Sequence, residues 1–190
     1  MTDDPLPSRL ARIRLLLLDV DGVLTDGRVV WHNDGIEQKA FHIRDGLGIK
    51  LWRRAGGKVG IITGRSSHVV ELRARELGID VVRQGVEDKW ESASGVLAET
   101  GCSREEAAFL GDDLPDLPVI LACGVGFAVS DACAEVRAAA DHVTTMPGGH
   151  GAVREIIEMM LKARGSWDAI VRRYASARPA AGENTSTESP

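Results

Sequence analysis

The sequence predicts an α/β fold, a doubly wound and mainly parallel sheet with a β-hairpin inserted after its first strand. Three observations carry that expectation. Short apolar runs at Leu15–Leu18, Lys58–Ile62 and Ala107–Leu110 show no helical stripe and read as strands buried on both faces. Segments of helical period alternate with them, as in successive βαβ units. Each run opens onto polar residues at its carboxyl end, where such Rossmann-like sheets bind ligands.

Met1 to about Leu10 is polar and Pro-containing and reads as a flexible arm, so the expected domain spans 11–175. The Leu15–Leu18 strand ends in Asp19-Val20-Asp21-Gly22. The insertion follows at about 26–41, where two β-rich runs flank Asn33-Asp34-Gly35, a hairpin turn signal. Arg44 to Gly57 reads as a helix with Leu47, Leu51 and Ala55 on one face, Asp45 as its cap and Gly56-Gly57 as its stop. The second strand runs into Thr63-Gly64-Arg65-Ser66, and a helix over Ser67–Leu77 turns Val70, Ala74 and Leu77 inward before Gly78.

A short strand at Val81-Val82 leads to Lys89 and a helix from Trp90 to Thr100. Ala107–Gly111 is the next buried strand, opening onto Asp112, Asp113 and Asp116. Leu117–Ala122 reads as a helix, Val125–Val129 as a strand, Ala132–Ala140 as a helix and His142–Thr144 as a last strand. The Gly148–Gly151 run reads as a flexible segment able to reach an active site. The final helix, Ala152–Arg164, carries a stripe of Val153, Ile156, Ile157, Met160 and Leu161, with Trp167 and Ile170 prolonging it. From Ser176 to Pro190 no large hydrophobe appears, so the tail cannot offset its ordering entropy and is expected to be disordered.

Composition narrows the function. At 190 residues, 44% hydrophobic and 27% charged, the chain suits one soluble domain with a full core. A net charge of −5 and 4% aromatic content disfavour nucleic-acid binding. No run approaches the roughly 18–20 apolar residues of a membrane span. Three cysteines without a Cys-x-x-Cys pair fit reduced thiols in a cytoplasmic protein.

A parallel sheet lines up its carboxyl ends, so Asp19, Asp21, Thr63, Lys89, Asp112, Asp113 and Asp116 converge on one cleft. Carboxylates there suit a hard divalent cation, and the lysine and hydroxyl suit a phosphoryl group. No His/Cys spacing supports zinc, and no Gly-x-x-x-x-Gly-Lys-Ser/Thr supports a nucleoside triphosphate. Each element alone also has a plain structural role: Asp21-Gly22 and Thr63-Gly64 as turns, Lys89 as a solvated helix start, Asp112-Asp113 as an N-cap.

In order, Asp19-Val20-Asp21-Gly22-Val23, Thr63-Gly64-Arg65, Lys89 and Gly111-Asp112-Asp113 through Asp116 resemble the haloacid dehalogenase superfamily of phosphohydrolases. Phe41–Gly46, Ile61–Ser66 and Gly148–Glu155 resemble more narrowly its small-cap subgroup acting on eight-carbon sugar-acid phosphates of lipopolysaccharide biosynthesis. The resemblance implies Asp19 as nucleophile forming an aspartyl-phosphate, Asp21 as acid and base, and Thr63 and Lys89 as phosphoryl-oxygen ligands. It implies Mg²⁺ held by Asp19, Asp112 and the carbonyl of Asp21, with Asp113 and Asp116 orienting the lysine and metal waters. It implies a sugar-acid site at His42, Ile43, Arg44, Asp45, Gly46, Lys50, Arg65 and Arg73, and a homotetramer paired through the hairpin. Lys50 departs from the subgroup's usual arginine, which weakens bidentate carboxylate recognition there.

Three rivals remain open on the sequence. A phosphatase for a nine-carbon, sialic-acid-like phosphate would share the reacting residues. A receiver module would place its phosphate-accepting Asp after the third strand, whereas here paired aspartates follow the first. A non-catalytic oligomerisation domain would not need Asp21 and Lys89, and both are present.

Overall fold

The structure, a computed structural model, describes residues 4–176. The chain opens with α1 (Leu6–Arg12) and then alternates: β1 (Leu15–Leu18), β2 (Val30–Trp31), β3 (Glu37–Gln38), α2 (Ile43–Arg54), β4 (Lys58–Ile62), α3 (His68–Leu77), β5 (Val81–Arg83) and α4 (Lys89–Thr100). The second half gives β6 (Ala107–Gly111), α5 (Leu117–Ala122), β7 (Val125–Ala128), α6 (Ala134–Ala139), β8 (His142–Val143), α7 (Ala152–Ala163) and α8 (Trp167–Ser176).

Six strands form one sheet in the order β5-β4-β1-β6-β7-β8, every neighbouring pair parallel. The four leucines of β1 are fully buried between β4 and β6, Leu18 lying opposite Ile61 and Leu110. The chain leaves β1 toward β4 and β5, then crosses back to β6, so strand order reverses beside β1. That reversal opens a crevice where the carboxyl ends of β1 and β6 diverge. The expected doubly wound sheet and hairpin are both present, the hairpin as a separate β2–β3 ribbon pairing Val30 with Gln38 and Trp31 with Glu37.

Several expectations are corrected. Residues up to Leu10 are not a loose arm throughout, because Pro5 leads into α1, which buries Leu10. In α2 Leu47 is exposed and Trp52 is fully buried, its Nε1 donating to Lys58 O at 2.9 Å. The indole also fixes Gly57, where a Cβ would sit 2.1 Å from Trp52 Cε2. The last helix does not run on through Trp167, since Gly165, at φ +68°, ends α7 and α8 begins afresh. The tail expected to be disordered lies, beyond Ser176, outside the described residues.

The Gly148–Gly151 run is held rather than free. Gly149 N donates to Val23 O at 2.9 Å and Gly148 N to Asp131 Oδ1 at 2.9 Å. A Cβ on Gly148 would lie 1.8 Å from Gly22 O, so only glycine allows this approach to the loop after β1.

Candidate active site

The carboxyl end of β1 delivers Asp19 into the crevice. Its amide continues the ladder to Leu110 O at 3.2 Å, and the chain then turns sharply, Leu24 N and Thr25 N both donating to Val20 O. Gly22, at φ +91°, allows that turn, and a Cβ there would overlap the Asp112 carboxylate at 2.1 Å. The Asp-Gly pair is therefore a turn, as its plain reading has it, and also the floor on which Asp112 rests.

Asp19 is 6% exposed. Its Oδ2 lies 3.0 Å from Lys89 Nζ, while Oδ1 is buried with no hydrogen-bond partner. A lone buried carboxylate oxygen is costly, which marks the position as one made for a cation or another donor. Lys89 opens α4, whose cap Asp88 accepts from Glu91 N, and its ammonium also reaches Asp116 Oδ1 at 2.6 Å. With two of three donors engaged, one remains for a phosphoryl oxygen.

Asp19, Asp112 and Asp116 bring carboxylate oxygens within 4.8 Å of one another. Asp116 has none to spare: Oδ1 takes Lys89, and Oδ2 accepts from Asp112 N at 2.9 Å and Asp113 N at 3.2 Å. Metal-ligating capacity therefore rests with Asp19 and Asp112. Burial, then the charges of Asp19 and Asp116, push the Asp112 carboxyl up to about 8. Burial likewise raises Asp19, to about 6, against the opposing pull of Lys89. For Lys89, burial alone would lower its pKa, but the Asp19 and Asp116 charges outweigh it and the net shift is upward. Three carboxylates facing one ammonium leave a surplus of negative charge, and a divalent cation fits that donor set.

Thr63 is 2% exposed at the end of β4, its backbone fixed by Arg83 O and Val86 N. Asp21 is half-buried, with Arg65 Nε 3.5 Å from its Oδ2. The other expected substrate residues are divided. Ile43 and Arg44 are exposed, and His42, the N-cap residue of α2, is half-buried near Gly151. Arg73 is not on a solvated face: it packs over Phe41 and against Gly46 and pairs with Glu76 at 2.7 Å. Lys50 lies 3.9 Å from the same Glu76.

Asp45 does not cap its helix, and Asp113 takes the plainer of its two readings, an N-cap. Asp45 is 1% exposed and neither caps α2 nor lines an open surface, because its Oδ1 accepts from Arg154 N at 2.7 Å at the start of α7. Asp113 is exposed and accepts from Leu114 N at 2.8 Å, an N-cap that leaves Lys89 to Asp116. Two residues escaped the sequence reading altogether. Glu37 in the hairpin's second strand and Lys39, the residue just beyond it, touch Arg65 and Asp21. Their spacing of two, in Glu37-Gln38-Lys39, was the available signal.

A family model of haloacid dehalogenase-like hydrolases matches residues 72–156, which include Lys89 and Asp112. The 3-deoxy-D-manno-octulosonate 8-phosphate phosphatase of Haemophilus influenzae is 41% identical over 83% of this chain and 87% of its own length. That of Escherichia coli K12 is 44% identical over 85% of this chain and 86% of its own. The Moraxella catarrhalis phosphatase of the same name, solved in complex with magnesium ion, phosphate ion and KDO, superposes with a TM-score of 0.87. It is 41% identical, over 88% of this chain and 97% of that one. With that agreement of sequence, fold and length, the chain belongs to the 3-deoxy-D-manno-octulosonate 8-phosphate phosphatase family of haloacid dehalogenase-like hydrolases.

Proposed function

We propose that this protein is a Mg²⁺-dependent phosphatase that converts 3-deoxy-D-manno-octulosonate 8-phosphate to the free sugar acid and phosphate, within lipopolysaccharide sugar synthesis. The observation that carries the chemistry is Asp19, pinned by Lys89 through one oxygen and unpartnered at the other. Asp19 attacks phosphorus, the ester P–O bond breaks, and Asp21 gives its proton to the departing alkoxide. Asp21, now a carboxylate, takes a proton from the water that cleaves the aspartyl-phosphate, returning Asp19 and releasing phosphate. Thr63 and the spare donor of Lys89 hold phosphoryl oxygens, and Asp116 keeps Lys89 in place. Asp19, Asp112 and the Asp21 carbonyl would hold Mg²⁺, which when bound offsets the negative charge gathered there.

For the sugar acid, Arg65 is the best-placed cation, beside Asp21 and 44% exposed. His42, Ile43, Arg44, Asp45, Gly46, Lys50 and Arg73 belong to the reading through the family resemblance; of these Ile43 and Arg44 are exposed, while Asp45 and Gly46 are buried. Phosphate release from eight-carbon and nine-carbon sugar-acid phosphates, with Mg²⁺ and with chelator, tests the reading. Metal-dependent turnover is expected, fastest on the eight-carbon ester. A clear preference for the nine-carbon ester would keep the chemistry and discard the named sugar.

The reading includes a homotetramer whose neighbours complete an open cleft. Val29, Val30, Trp31 and Ile36 expose 44–60% of their surface on the hairpin, an apolar ribbon suited to its counterpart on another protomer. Trp31→Asp is expected to reduce the mass measured by light scattering to that of a smaller species. A wild-type monomer, or an undiminished variant, overturns the assembly. A cytoplasmic location completes the reading, supported by free Cys102, Cys123 and Cys133.

A further inference from the structure

The residue assigned to proton transfer does not stand alone. Lys39, one residue beyond β3, has a side chain only 1% exposed, and its ammonium contacts Asp21 Oδ1 and lies 3.5 Å from Glu37 Oε1. Arg65 closes the group from the far side, 3.5 Å from Asp21 Oδ2 and donating to Glu37 Oε1 at 3.0 Å. Two basic side chains thus alternate with two acidic ones around a closed ring.

An ammonium this secluded is held only by good partners, since desolvating it is costly. Its contact is with one defined oxygen, so the Asp21 carboxyl loses its freedom to rotate between equivalent faces. The oxygen left without a close partner is Oδ2, approached only by Arg65 at the longer distance. β2 and β3 are two residues each, so the ribbon's own ladder cannot fix Lys39, and Glu37 supplies that anchor.

We propose that Lys39 is a positioning residue for the phosphatase reaction: it holds Asp21 Oδ1 so that Oδ2 faces the leaving-group oxygen, with Glu37 as its anchor. This rests on the reading of Asp21 as proton donor. A misaligned donor slows departure of a basic leaving group far more than of one that leaves unprotonated, which a general disturbance of the fold would not do.

The test compares kcat/KM, which covers steps through phosphoryl transfer, on phenyl phosphate and on p-nitrophenyl phosphate at saturating Mg²⁺. Lys39→Met is expected to lose at least tenfold more on phenyl phosphate than on p-nitrophenyl phosphate, and Lys39→Arg to recover part of that difference. Glu37→Gln, which leaves Lys39 in place but loosens it, should show the same selectivity to a smaller degree, and serves if Lys39→Met does not fold. Equal losses on the two esters in these variants, or no loss on either, overturn the proposal. Failure of the phosphatase reading is seen separately: wild-type protein would then hydrolyse neither ester with Mg²⁺, and the inference falls with it.

Discussion

Asp19→Asn is expected to lower kcat by about 10⁴-fold or more while the protein stays folded. The amide keeps the shape of the carboxylate but offers phosphorus no oxyanion, so the covalent intermediate cannot form. Binding and the charges of Lys89 and Asp116 would remain, and with them only a small residual rate. Stability should move the other way. Asp19 sits buried among Asp112 and Asp116 with one ammonium between them, and one of its oxygens has no partner. Removing that charge relieves repulsion, so calorimetry without metal should give an equal or higher melting temperature. Activity within tenfold of wild type would remove Asp19 from the role of nucleophile.

Stability without metal should fall as pH rises from about 4 to about 8, and Mg²⁺ should reverse the trend. In the unfolded chain Asp112 ionises near 3.8, whereas burial and its carboxylate neighbours hold it to about 8 in the fold. Between those values the folded protein carries a proton that the unfolded chain has shed, so raising pH favours unfolding. The contribution is complete below 3.8 and gone above about 8, with Asp19 adding in the same sense up to about 6. A cation competes with these protons, so binding near pH 7 should expel on the order of one proton per ion. Calorimetric titration in two buffers of different ionisation enthalpy measures that number. A metal-free melting temperature that climbs from pH 5 to 8, or metal binding without proton release, would contradict the assignment.

Much of this site was legible because buried parallel strands make unambiguous apolar runs and their carboxyl ends must lie together. Asp19, Thr63, Lys89 and Asp112 could be gathered from that rule alone. Residues whose partners come from unrelated elements were not so readable. Asp45 looked like a helix cap and then a ligand for substrate, yet its partner is the amide of Arg154. Leu47 fitted the helical stripe, but the buried face of α2 carries Gly48, Ile49, Leu51 and Trp52, with Trp52 packed against Gly57. Lys39 was hidden because a lysine on a short, mostly exposed ribbon reads as a solvated side chain until Asp21 is seen beside it.

The loop after β1 is clasped by the glycines that precede α7, and this sets an order of events during synthesis. Asp19 and Asp21 leave the ribosome well before Gly148 and Gly149, whose backbone secures their loop. Asp45 and Arg154, which tie the start of α2 to the start of α7, lie 109 positions apart. At ordinary elongation speeds that separation is roughly 5–20 s of translation. The nucleophile is therefore made before the segment that aligns it, and a nascent chain carries its reactive aspartates in an idle state until Gly148 and Gly149 have emerged.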